Sequence, residues 1–452
     1  MPSRIWIATT CFLVVAQASL SGCAVVDQYS GRAVGYNVEA EQAQEQALLL
    51  NVIRASLRKP MQYTSVTTIT GIAMSSGTAS LNFPIGVHPA SVFKTGMLAG
   101  TVGGGPSFTV PVLDTQEFYQ GIMKPIPGQL IDFYVHEEYP REEIFNLFIE
   151  KIVLRRADCN PSSHLKNCEM TFINYPGTDL DFDLTQAVIE HLLNLGLSTE
   201  KVLEDKTKAK GKDCSSNSSS ADSSKDCSPP PPAFRFCFSP REILVQAYVD
   251  ESARCGSLAQ GMSRQTIGEN ARKTTTAPIR LSDSFIHDLE RILIYETTQN
   301  RQDDSYGYQP NLAAFTNKRV TFDIYTRSTE GIIYYLGEIV RRRLYPDQQF
   351  ARGPRTVKIK IGPFYTQIPT EPCPLENKVS GFRCHNLFVL DNGFEAGSPL
   401  SVNYGGTQYS VPSDSGEAGK TMHVLSLVKQ LLAVNTSAKS LPQTNVISVI
   451  SP

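Results

Sequence analysis

This chain is poor in the features that announce a working chemistry. It has no Cys-x-x-Cys and no Gly-x-Ser-x-Gly, and its 7 His are scattered. The first two absences exclude paired-thiol zinc or redox motifs and the nucleophile elbow of α/β-hydrolases. It also lacks charge of one sign. There are 42 Lys+Arg against 44 Asp+Glu, a net charge of -2, so no bulk field attracts nucleic acid. Charged residues are 19%, below the roughly 25% of ordinary soluble domains. The one Trp is Trp6. Gly (31) and Pro (28) are near ordinary usage, which excludes collagen-like and wholly disordered chains. No apolar run after Ala18 approaches the roughly 20 residues a membrane helix needs. What remains is 452 residues, long enough for two or three domains with a sizeable core.

The N-terminus carries an address. Arg4 precedes an apolar run from Ile5 to Ala18, followed by small residues, which reads as a secretory signal. Ala16-Gln17-Ala18 offers one cleavage site. Leu20-Ser21-Gly22-Cys23 offers another, and it resembles the bacterial lipobox. That resemblance implies lipidation of the Cys23 thiol, cleavage of residues 1–22 and acylation of the new amino group. One acyl chain binds a membrane only marginally, whereas several on one residue anchor it firmly. Residue 24 is Ala. In Gram-negative lipoproteins Asp at that place favours the inner membrane, so the expected location is the periplasmic side of the outer membrane.

Without Cys11 and Cys23 there are eight cysteines: Cys159, Cys168, Cys214, Cys227, Cys237, Cys255, Cys373 and Cys384. An even number in an exported chain reads as disulfides rather than metal ligands. Sequential spacing suggests 159 with 168, 214 with 227, 237 with 255 and 373 with 384, although eight cysteines allow 105 connectivities.

Beyond the anchor, residues 23–36 read as a lipidated tether. An N-terminal half over 37–205 opens with a helix from Asn37 to about Arg58, stopped by Pro60. Residues 61–70 and Phe108–Val112 favour strand, and the Gly-rich 95–106 reads as loop. Pro127 and Pro140 suit helix starts, strands are expected at 151–156 and 169–174, and a helix begins at Asp183. Residues 206–232 are Ser-, Lys- and Pro-rich and cannot bury enough apolar surface to order themselves. This disordered insert either divides off a C-terminal half, 233–442, or interrupts a single domain, and a tail follows at 443–452. There Phe234–Phe238 reads as strand, with a capping-box helix from Ser239. Another helix runs through Phe285, Leu289 and Leu293. Val320, Phe322 and Ile324 alternate as a half-buried strand, and Ser328 caps the following helix. Val357, Ile359 and Ile361 mark another strand. Gly405-Gly406 forms a hairpin turn pairing Tyr404 with Thr407, Val402 with Tyr409 and Leu400 with Val411. A last helix spans about Lys420–Val434. Mixed strands and amphipathic helices without parallel units make the fold class α+β.

Three motifs approach a chemistry and miss it. Gly419-Lys420-Thr421 would end a phosphate loop, but residue 414 is Asp where that loop needs Gly. His136-Glu137 begins a zinc-protease motif, but residue 140 is Pro where the second His belongs. His385 beside Cys384 is more simply a surface His next to a paired Cys. No catalytic residue, cofactor, metal or nucleotide follows. Arg341-Arg342-Arg343 could meet acidic lipid, but more simply complements a helix C-terminus. Leu48–Pro60, Arg327–Arg341 and Val424–Pro442, with the lipobox, resemble a family of uncharacterised proteobacterial lipoproteins. The resemblance implies an envelope location and names no activity. The expected function is therefore a non-enzymatic binding or scaffolding role among envelope proteins, with partner-strand addition at the 400–411 hairpin as the candidate surface. The alternative is a tethered hydrolase of wall or glycan.

Overall fold

The computed structural model describes residues 29–64, 68–73, 76–82, 95–101, 104–109, 112–113, 115–159, 168–176, 179–202, 233–239, 249, 253–256, 273–275, 279–281, 283, 285–287, 289–290, 312–345, 358–361, 383–435 and 448–449. The chain forms two compact units. One comprises residues 1–50, 62–118 and 436–452, the other 51–61 and 119–435. Among the described residues the strand ladders are antiparallel and helices are interspersed among them, an α+β fold.

The first helix, α1, is Tyr29–Ser56. It starts well before Asn37, so residues 29–36 of the expected tether are helical. In the first unit β1 (Thr68–Ala73), β2 (Ser76–Asn82), β3 (Thr95–Thr101) and β4 (Gly104–Thr109) follow. β2 pairs with β3, and β1 with β4. The Gly-rich stretch expected to be loop is therefore largely strand: ladder pairing supplies what side-chain propensity does not. The C-terminal tail contributes Ser448–Val449, which pairs with Thr109 and Phe108 of β4. Tyr63 meets Phe118 edge to face at 5.2 Å.

In the second unit come the short α2 (Gln116–Ile122, whose last residues belong here), α3 (Gly128–His136) and α4 (Arg141–Phe148). Pro127 and Pro140 stand at the N-cap positions of α3 and α4. Next are β5 (Ile149–Arg156), β6 (Glu169–Ile173), α5 (Asp179–Asn194), β7 (Leu197–Val202), β8 (Ala233–Phe238), β9 (Lys273–Thr275) and β10 (Ile279–Arg280). Then β11 (Arg319–Thr326) leads into α6 (Thr329–Leu344), where the Ser328 side chain accepts from Gly331 N at 3.0 Å. The main sheet runs β10-β11-β5-β6, with β9 also on β11. Phe322 opposes Leu154, which opposes Met170; Ile324 opposes Ile152, which opposes Phe172. These rows are buried and face one side. α4 covers β5 and touches α5 and α6, while α5 covers β6.

β11 lies beyond the insert in sequence and β5 before it, yet they share the longest ladder of this sheet. β7 and β8 also pair across the insert, Val202 opposite Ala233. Residues 119–435 therefore belong to one unit, and the 206–232 segment interrupts it rather than separating two halves. That segment and the helix expected from Ser239 lie outside the described residues. The helix around Phe285 and Leu289 is partly described, with Leu293 outside.

The remainder is β12 (Lys358–Ile361), β13 (Arg383–Asn386), β14 (Asp391–Asn392), β15 (Ser401–Tyr404), β16 (Thr407–Ser410) and α7 (Ser415–Asn435). The hairpin has the expected register. Val402 opposes Tyr409, Tyr404 opposes Thr407, and Val411 N donates to Leu400 O at 2.9 Å. Gly405 and Gly406 take φ 62° and 83°, which the turn requires. β16 sits between β14 and β15, and Leu400, Val402, Tyr409 and Val411 are buried.

Candidate functional site

Cys23 lies outside the described residues. Of the eight other cysteines, Cys159 bonds Cys168 and Cys237 bonds Cys255, each with an S–S distance of 2.02 Å. The first closes the loop between β5 and β6. The second ties β8 to the 253–256 turn, where Cys255 N donates to Phe238 O at 2.9 Å. Cys214, Cys227 and Cys373 lie outside the described residues, and Cys384 is in β13. Beside the second disulfide the Glu200 carboxylate accepts from Arg235 and, at 2.6 Å, from Gly256 N. Glu200, Cys237 and Cys255 are the one cluster with metal-ligand proximity among the described residues. Sulfurs bonded to each other are not thiolate ligands, and the carboxylate already faces a guanidinium, so the donor set does not suit a cation.

The near-miss motifs have structural employment. Gly419-Lys420-Thr421 lies inside α7 rather than opening it: the Thr421 hydroxyl accepts from Val389 N at 3.1 Å and Lys420 pairs with Glu143. His136 and Glu137 end α3, and Glu138 turns the chain at φ 58°. The arginine triplet is not a solvated patch. Arg341 forks onto Glu338, with Nη2 2.5 Å from Oε1 and Nε 3.0 Å from Oε2. Arg342 is fully buried 3.5 Å from the same carboxylate, and Arg343 Nε reaches Asp391 at 2.9 Å. The triplet thus pairs with carboxylates of its own chain, buried Glu338 and partly exposed Asp391, and an acidic-lipid role for it is not needed.

One constellation escaped the sequence. Glu143 stands in the first turn of α4, 2% exposed. Lys420 Nζ donates to its Oε1, and His423 Nδ1 lies 2.5 Å from its Oε2. Lys420 and His423 are three apart on α7 and so share a helix face. Burial opposes the Glu143 charge, but the hydrogen bonds from His423 and Lys420 outweigh it and hold the carboxyl below its ordinary range. Adjacent Glu142 is pushed up by burial, partly offset by a backbone hydrogen bond and Arg141. His423 stacks on Tyr139 with centroids 5.2 Å apart and planes 15° apart. Gln430 bridges Tyr134 and Tyr139, at 3.3 and 3.4 Å. Burial, with Tyr139 nearby, raises the Tyr134 hydroxyl to about 12.

The Nδ1 of His423 faces Glu143, its other ring nitrogen, Nε2, takes no part in that contact, and its side chain is 36% exposed. A carboxylate orienting a His is the base-and-orienter half of a general-base site. Among the described residues no Ser, Thr or Cys side chain hydrogen-bonds this His. The signal was absent from sequence because Glu143 lies 277 residues from Lys420 and 280 from His423.

Comparison with protein-family models, curated proteins and solved structures finds no match to this chain.

Proposed function

We propose that this chain is a lipid-anchored protein of the bacterial envelope, held at the outer membrane by Cys23 and working there by binding or scaffolding envelope proteins. The observation that carries this reading is Leu20-Ser21-Gly22-Cys23 at the end of a basic-then-apolar leader. The two disulfides of the body fit the same oxidising compartment. Among the described residues no helix is long and apolar enough to cross a membrane. The resemblance of three sequence blocks to proteobacterial lipoproteins supports the location only. A Cys23→Ala chain should leave the membrane fraction or accumulate as uncleaved precursor, and should lose incorporation of labelled palmitate. Normal cleavage, labelling and retention would refute the anchor.

The buried Glu143 with His423 favours a second reading, a hydrolase in which His423 Nε2 takes a proton from water. Purified chain and its His423→Ala variant, incubated with peptidoglycan or envelope glycan, separate the two. Turnover lost in the variant makes the protein an enzyme; none in either leaves the binding role.

A further inference from the structure

The end of α1 brings two cations onto one aromatic ring. Lys59 N donates to Arg54 O at 2.8 Å and Arg58 N to Ala55 O at 3.1 Å. This is a Schellman turn, with Arg58 at φ 56° where Gly is usual. The backbone bond from residue 59 to 54 sets Lys59 beside Arg54. Lys59 Nζ lies 5.0 Å and Arg54 Cζ 5.7 Å from the centroid of the Tyr404 ring. Tyr404 stands at the hairpin tip, next to Gly405 and Gly406, around which space is open.

Charge balance distinguishes this pair from its neighbours. Arg58, Arg341 and Arg343 each meet a carboxylate. Among the described residues, the Arg54 side chain reaches, besides the ring, only neutral Asn51, at 3.1 Å, and Lys59 forms no ion pair. Lys59 is exposed, and Arg54 and Tyr404 are partly so. Both cations lie within 6 Å of one ring centroid, and an anion that reaches both lowers the electrostatic energy of two like charges gathered there. The guanidinium offers a donor fork, the ammonium a point charge, and the phenol a further hydroxyl.

We propose that Arg54, Lys59 and Tyr404 form a binding site for a phosphate group, carried by a free phosphate compound or by a lipid headgroup. The site does not depend on lipidation of Cys23. Its test uses the full chain and the variants Lys59→Glu and Arg54→Gln. The probes are inorganic phosphate, followed by isothermal titration, and vesicles of phosphatidylglycerol against phosphatidylcholine, followed by co-sedimentation. Parent and variants share the same N-terminus, so its contribution to vesicle binding cancels in the comparison.

Salt-sensitive phosphate binding by the parent, weakened about tenfold in each variant, is expected, corresponding to the loss of one charge-assisted contact. If phosphatidylglycerol vesicles bind more tightly than free phosphate at equal phosphate concentration, and the variants lose that excess, the ligand is a headgroup. If they bind no more tightly, it is a soluble phosphate compound. Lys59 is exposed, so Lys59→Glu should fold as the parent does and can decide alone if Arg54→Gln does not fold. No phosphate binding by the parent, or undiminished binding of both probes by folded Lys59→Glu, would overturn the proposal.

Discussion

Two residues show how closely this body is fitted. Gly337 lies where α6 crosses the end of α1. A Cβ there would stand 2.7 Å from Ala55 Cβ and 2.8 Å from Ser56 N, so the helices approach at a distance only glycine permits. Gly337→Ala should destabilise by about 2 kcal/mol, the usual result of overpacking, seen as a lower urea midpoint. Arg327 is the second. Buried, it donates to Asn174 O at 2.5 Å, to Leu147 O at 2.6 Å and to Asn146 O at 3.3 Å, with its guanidinium 3.9 Å from the Tyr335 ring centroid. Burial lowers its pKa to about 10, which still leaves it charged at neutral pH. It thus satisfies the last carbonyls of α4 and the end of β6. Arg327→Met should lose about 3 kcal/mol, because buried carbonyls would be left without donors. Arg327→Lys restores the charge but not the fork, and should remain well below the parent in melting temperature. A parent-like Arg327→Met would show that water replaces the guanidinium.

Elements are joined here by links that local pattern anticipates unevenly. Both observed disulfides are sequential neighbours, as the spacing suggested, because each closes a short excursion from a strand: β5 to β6, and β8 to the turn after it. Non-reducing peptide mapping should recover 159–168 and 237–255. Removing either as a Cys→Ser pair should destabilise by about 3 kcal/mol, the chain-entropy value for short loops. The hairpin shows where pattern was insufficient. Its register followed from alternation and Gly405-Gly406, but its tip is not bare. Arg54 and Lys59 from α1 lie over Tyr404, and no spacing rule connects residues so far apart. α7 is similar: its apolar face was readable, while the pairing of Lys420 and His423 with Glu143 was not.

At the scale of the whole molecule, acid should unfold the body in two windows. His191 stacks on Phe285 at 3.7 Å, and burial lowers its pKa from 6.5 to about 3. The residue as a whole is half-buried, but Nε2 is buried without a hydrogen bond among the described residues. Between those values the unfolded chain binds the extra proton, so this stabilisation is complete above pH 6.5 and is lost as pH falls toward 3. Glu143 is a carboxyl held below its ordinary value, so its contribution is complete above 4.5 and lost only as pH falls through its lower folded pKa. His191→Gln should flatten the first window of a stability-against-pH curve and Glu143→Gln the second; curves parallel to the parent's in both would remove these groups as the cause. The 206–228 segment should matter to neither. Val202 opposes Ala233 directly, so a Gly/Ser linker long enough to join them should leave the melting temperature almost unchanged. A loss of several degrees would mean that the segment packs against the body.

What the sequence determined by itself is local. Pro127 and Pro140 start helices because they have no amide hydrogen to leave unsatisfied. Ser328 caps because its hydroxyl reaches three residues ahead. Val320, Phe322 and Ile324 share a face because a strand has period two. The α+β class follows from such segments added together. Tertiary structure alone decided which strands meet, and it therefore turned the Gly-rich 95–106 stretch into ladder and made one unit of the chain on both sides of the insert. It alone buried Arg342, set Glu143 against His423 and placed two cations on Tyr404. Each of these depends on the low polarity of an interior or on proximity between residues far apart in sequence. Neither property belongs to any window of the chain.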